Sequence, residues 1–144
     1  MPMWQYERDV ETQARVAAIW KLYSDVASWP WWNLRIERVD LSGPFAAGTA
    51  GTLMLKDHRA VEFRLVAVQP MQGFTAEADL LGAAGVLRCS HSLRVIGMDR
   101  TRMTHALEIL GPESDALGAQ MGSSLQQKMD DAMDAVVLQA LSDA

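Results

Sequence analysis

A single cysteine, Cys89, among 144 residues leaves no intrachain disulfide framework and no cysteine-only metal site, which suits a reducing compartment. Basic residues are few and scattered: thirteen Lys and Arg against eighteen Asp and Glu give a formal charge of −5 and a pI near 5.1. Phosphate contacts need clustered cations, so a general nucleic-acid binder is excluded. No run approaches the ~18 apolar residues of a membrane span, so no stable membrane insertion is expected. The charged start Tyr6-Glu7-Arg8-Asp9 is unlike a signal peptide, and the expected location is cytoplasmic. Internal repeats, low-complexity tracts and linkers are also missing. Residues 1–144 are therefore read as one domain, long enough to bury roughly two-thirds of its unfolded surface in one core.

What the sequence does have is a long amphipathic C-terminal stretch from about Ser114 onward. At 100° per residue, Leu117, Met121, Leu125, Met129, Ala132, Met133, Val136, Val137, Ala140 and Leu141 share one stripe, with Gln127, Asp130, Asp131 and Asp134 opposite. Lys128 sits at the margin of the stripe and Leu138 points toward the polar side. Ser114 and Asp115, after Pro112, are the expected N-caps. Gly118 and Gly122 loosen the first turns. A helix with one dry face needs a surface to lie on.

The upstream chain supplies that surface. Trp4, Tyr6 and Val10 alternate with Gln5, Glu7, Asp9 and Glu11, the pattern of a half-buried strand that only Arg8 breaks. Thr12 is the expected cap of a short helix carrying Val16, Ile19, Trp20 and Tyr23 at i, i+3, i+4, i+7. Asp25 caps a second, shorter turn that Pro30 is expected to end. Trp29, Trp31 and Trp32 follow, three of the five tryptophans; they either pack the helices on the sheet or stack on a flat ligand, and Trp31 is the functional candidate because it points away from both helices.

Arg35 to Ser42 reads as a strand with Ile36 out of phase, as a bulge produces. The glycines at 48 and 51 fit a turn, since neither a Walker Lys-Ser/Thr pair nor a dinucleotide fingerprint accompanies them. Five further strands alternate in sequence. Their inward sets are Leu53 and Leu55; Val61, Phe63, Leu65 and Ala67; Phe74, Ala76, Ala78 and Leu80; Leu87, Cys89, His91, Leu93 and Val95; and Met103, His105, Leu107 and Ile109. His58 falls in a polar turn, and Gly82 to Gly85 form another. Such strands are antiparallel with one wet face, and the C-terminal helix covers the other.

The order is strand, two short helices, six strands in meander, long terminal helix. With Ile19-Trp20, Asp25 and Trp32 after the first strand, and Phe45, Gly48 and Gly51 before the third, the whole chain resembles the START-like (SRPBCC) superfamily, in particular its polyketide cyclase/dehydrase-like family. The resemblance implies an α+β helix-grip fold, a curved seven-stranded antiparallel sheet wrapped around the C-terminal helix. It also implies a cavity between sheet and helix that holds an apolar or amphipathic small molecule. The superfamily shares no catalytic residue, so none is carried over.

The expected function is therefore binding of a lipid, polyketide or aromatic metabolite, with Trp31, Leu53, Leu55, Phe63, Leu65, Phe74, Cys89, His91, Met103, His105, Met121, Leu125, Met129 and Met133 around it. A cyclase or dehydrase with His91 and His105 as acid and base is the second reading, and a protein-interaction module like the superfamily's chaperone activators the third. No cofactor and no metal are expected, because Cys89, His91 and His105 lack a completing carboxylate or ligand spacing. A homodimer stays open. A three-residue loop Gly97-Met98-Asp99 pairs Leu93 with Met103, His91 with His105 and Cys89 with Leu107. Opposed Cβ atoms lie about 4.5 to 5.5 Å apart, so at least one imidazole should titrate below the ordinary ~6.5.

Overall fold

The computed structural model describes residues 3–80 and 85–142. Strand β1 (Gln5–Thr12) leads into helix α1 (Val16–Ser24), a 3₁₀ turn (Val26–Ser28) and helix α2 (Trp29–Trp32). Strands β2 (Ile36–Leu41), β3 (Ala50–Leu55), β4 (Ala60–Gln69), β5 (Gly73–Leu80), β6 (Gly85–Gly97) and β7 (Arg100–Leu110) follow, and helix α3 (Ser114–Ser142) ends the described chain. The strands form one antiparallel sheet in the order β1-β7-β6-β5-β4-β3-β2. Apart from β1 joining β7, each strand pairs with its sequence neighbour, as a meander requires.

Local signals explain most boundaries. Asp25 accepts a hydrogen bond from the Ala27 amide, the cap its sequence position suggested. Thr12 differs from expectation: it ends β1 and accepts from the Ala14 amide, while Arg15 occupies the N-cap of α1 without a side-chain bond. Pro30 does not stop a helix but starts one, standing in the first turn of α2 where a missing N–H costs nothing. Ser114, expected as a cap, instead accepts from the Trp4 amide and donates to the Ile109 carbonyl, tying the start of α3 to the end of β7 and to the residue before β1.

Two register shifts set the inner face. The first, between Ile36 and Arg38, is the bulge the phase break announced. The second, between Leu65 and Ala67, was not anticipated. It places Val68, not Ala67, opposite Phe74, and leaves Val66 exposed. Val95 is likewise exposed (68 %), although its parity put it inward, because the β6–β7 hairpin projects past the core. That hairpin is tighter than expected, with Gly97 paired to Arg100 and Ile96 as the extra residue; the shift lies beyond Val95, so the deeper pairs are unchanged. The expected turn at 82–85 lies, except for Gly85, outside the described residues.

Helix α3 is anchored along β1. Tyr6 donates to the Asp130 carboxylate at 3.0 Å, and Arg8 donates to the Asp130 carbonyl and the Asp134 carboxylate at 3.2 and 3.0 Å. Arg8, the one break in β1's pattern, thus holds the polar flank of the helix. The glycines near the start of α3 have a packing role: a Cβ on Gly118 would stand 2.4 Å from the Trp4 ring, and one on Gly122 2.7 Å from its Nε1. The indole lies directly on the helix backbone. Close backbone approaches of α3 are to β1, β7, α1 and α2, and β3, β4 and β5 have no comparable approach to it.

Candidate functional site

The register fixes the centre of the inner face. His91 on β6 pairs with His105 on β7 and, on its other side, with Phe74 on β5. The imidazole centroids are 4.4 Å apart at 74°, and the His91 ring stacks on Phe74 at 4.0 Å and 8°. The neighbouring imidazoles expected from the hairpin are therefore present. From the opposite wall, α1 contributes Tyr23, which has no accessible surface and packs edge-on against Phe74, His91 and Trp32. The Tyr23 hydroxyl lies 2.6 Å from His105 Nε2.

Burial makes this cluster electrically neutral near pH 7. It lowers the His91 pKa to about 4, with the Phe74 backbone pulling the other way. His105 is held well below the ordinary value by burial first, then by His91 and Arg8. Burial also pushes the Tyr23 hydroxyl far above its usual value. A proton therefore sits on the phenol, and its contact with His105 Nε2 is a hydrogen bond between two neutral groups whose direction follows the imidazole tautomer. Among the described residues two buried side-chain polar atoms have no protein partner, Nδ1 of His91 and Nε1 of Trp32. An unmet buried donor or acceptor costs about 1 to 3 kcal/mol, so these two are where a polar atom of a guest would be welcome.

The expected site residues divide into three groups. Phe63, Leu65, Phe74, Met103, His105, Met129 and Met133 are buried in the core. Leu53, Leu55, Cys89, His91 and Leu125, which face inward, and Met121 on α3 keep some accessible surface. Trp31 is 60 % exposed and stands outside the interior, while Trp29 and Trp32 are buried beside Tyr23 and the inner-face phenylalanines, which is the packing role for the tryptophan cluster. Sequence reasoning missed Tyr23 and Trp32 as polar members of the site. The signal was present in a buried-face tyrosine and tryptophan, each carrying a group that needs a partner.

Cys89 is informative in a different way. Burial raises its thiol to about 12, as for an inert cysteine far from bulk water, yet the residue keeps accessible surface. Ala76, Ala78 and Leu87, around it on β5 and β6, also keep some. Elsewhere, two open depressions of about 460 and 470 Å³ lie on the outer, wet face of the sheet. Glu62, Arg64 and Asp79 line the first; Asp9, Arg94 and Arg102 are among those lining the second. Among the described residues no group of three or more His, Cys, Asp or Glu is placed to hold a metal ion, and no helix is long and apolar enough to cross a membrane.

No family model matches the chain, and neither does any curated protein. Solved structures do. Ara h 8.0201 superposes with a TM-score of 0.80 at 12 % identity, covering 98 % of this chain and 99 % of its own. The Zhui aromatase/cyclase from Streptomyces sp. R1128 gives 0.79 at 12 %, covering 96 % and 94 %. Norcoclaurine synthase from Thalictrum flavum gives 0.73 at 14 %, covering 99 % and 89 %. Likeness at such identities speaks for the fold and leaves activity open. By element order, topology and superposition over nearly its whole length, the chain has the same helix-grip fold as these structures.

Proposed function

We propose that this protein binds a largely apolar small molecule with a neutral polar group at its buried end, in a hollow between α3 and strands β3 to β6. The observation that carries the reading is Cys89, shielded from bulk water strongly enough to raise its thiol to about 12 while its surface remains accessible. A residue with both properties faces an internal space. The inward residues with uncovered surface, Leu53, Leu55, Leu125 and their neighbours, surround the region that α3 does not closely approach. The wall is apolar, so its contribution follows buried area at roughly 25 cal/mol per Å². His91 Nδ1 and Trp32 Nε1 supply the polar end.

An enzymatic reading of cyclase or dehydrase type draws support from the aromatase/cyclase and the synthase among the structural neighbours. The electrostatics weigh against it. General acids and bases work best with a pKa near the working pH, and burial moves His91, His105 and Tyr23 away from neutrality in both directions. These groups are suited to hydrogen bonding without proton exchange.

Titration with the neutral fluorophore N-phenyl-1-naphthylamine tests binding directly. Saturable enhancement at one site per chain is expected, with weakened affinity in Ala76→Leu, which fills space beside Cys89. Fluorescence that never saturates, or affinity unchanged in that variant, would sink the reading. A compound that is turned over, with turnover lost but affinity kept in His105→Gln, would favour the enzyme.

A further inference from the structure

Lys128 is oddly placed for a cation. It lies on α3 between Leu125 and Ala132, three residues before it and four after, so its side chain emerges along the apolar stripe. It is half-buried, and among the described residues it forms no ion pair. Two further cations bracket the end of β3. The Arg35 carbonyl accepts from the Lys56 amide, and the Arg59 carbonyl from the Leu55 amide, each at 2.9 Å. Both arginines act on the Lys128 ammonium and, after burial, lower its pKa. Arg35 has no ion-pair partner among the described residues either.

The acid that opposes this cluster is Asp57, and it is already engaged. Its carboxylate takes the Arg59 Nε at 2.8 Å and the Arg59 amide at 3.1 Å. Lys56 adds another exposed cation in the same turn. A chain with a formal charge of −5 therefore concentrates positive charge at one place, beside the inward-facing Leu55 and Leu125. Like charges held together over an apolar edge are mutually destabilising, and a guest anion relieves that repulsion while giving a guanidinium a planar partner.

We propose that Lys128, Arg35 and Arg59 form a cationic rim that receives the anionic headgroup of an amphipathic ligand whose apolar body enters the hollow. This rests on the ligand-binding reading and narrows it: the ligand is an acid at its outer end. The apolar depth supplies most of the affinity, and the rim selects for charge and orientation.

Two fluorophores with the same aromatic skeleton separate the rim from the hollow. 8-Anilinonaphthalene-1-sulfonate carries an anion, and N-phenyl-1-naphthylamine lacks it. The sulfonate should bind about tenfold more tightly, the scale of one partly shielded charge-assisted contact. Lys128→Gln and Arg35→Gln should each erase most of that preference while leaving the neutral probe within about twofold, which also shows that the variants are folded. Equal affinity for the two probes in the parent protein, or equal losses for both in the variants, overturns the rim and leaves the hollow standing. Binding of neither probe overturns both.

Discussion

The hydroxyl of Tyr23 and Nε2 of His105 meet at 2.6 Å across 82 residues of sequence, in a place with almost no water. Burial forbids charge on either ring, so the contact is one hydrogen bond between neutral groups. Tyr23→Phe keeps the ring and removes the hydroxyl, leaving His105 Nε2 buried and unmet. The expected loss is about 1 to 3 kcal/mol in urea-induced unfolding. Pairing it with His105→Leu removes both partners, and the double variant should lose less than the two single losses combined. Strict additivity would mean that the bond contributes nothing.

The histidines also set a pH dependence. In the unfolded chain each takes up a proton near ~6.5, whereas folded His91 does so only at about 4 and folded His105 well below the ordinary value. Between those limits the unfolded state binds more protons, so stability rises with pH through the window. It is fully present above the unfolded value and lost as the pH falls toward 4. The ceiling is about 1.4 kcal/mol per pH unit for each histidine, reduced for His91 because part of its surface is accessible. Melting temperatures followed from neutral to mildly acidic pH should fall steadily in the parent protein and less steeply in His91→Gln. A flat profile in the parent would contradict the buried, neutral assignment.

At Gly118 two general expectations conflict. In an exposed helix, Gly→Ala gains up to about 1 kcal/mol from backbone propensity. Here the new Cβ would stand 2.4 Å from the Trp4 ring, too close for any rotamer to relieve. Gly118→Ala should therefore destabilise the protein, by about 1 to 3 kcal/mol as in other overpacked cores. Trp4→Ala alone also destabilises, but adding Gly118→Ala to it should then be neutral or favourable. Chemical denaturation of the four proteins of this cycle decides it, and the idea fails if the glycine substitution costs the same with and without the indole.

What could be read from the sequence was whatever depends on short-range periodicity. The pairing of His91 with His105 needed only the hairpin and the alternation on either side of it, and it survived an error in the loop because the slip lies beyond Val95. The bulge after Leu65 was hidden, since Val66, Ala67 and Val68 are all apolar and an alternating pattern can be laid over them in either phase. Long-range contacts were hidden too. Nothing near Gly118 or Gly122 announces an indole from residue 4, and Arg8 looks like a defect in β1 until Asp130 and Asp134 are placed beside it. The same holds for Tyr23, whose spacing declared a buried face but not the imidazole waiting there.

Helix α3 presents both kinds of apolar side chain, and truncation should separate them. Met133 has no accessible surface and sits in the main core. Met133→Ala deletes packed methylenes and leaves a void, so a loss of about 2 to 5 kcal/mol is expected. Leu125, two turns earlier on the same stripe, keeps part of its surface uncovered. A side chain at the edge of a hollow has already forgone contacts on one side, and Leu125→Ala should cost less, about 1 kcal/mol. The two should also differ in binding: Leu125→Ala enlarges the hollow and changes affinity for N-phenyl-1-naphthylamine, while Met133→Ala acts on stability alone. Equal stability losses, with neither variant altering the fluorophore's affinity, would mean that α3 closes a filled interior and that the protein acts through its surface.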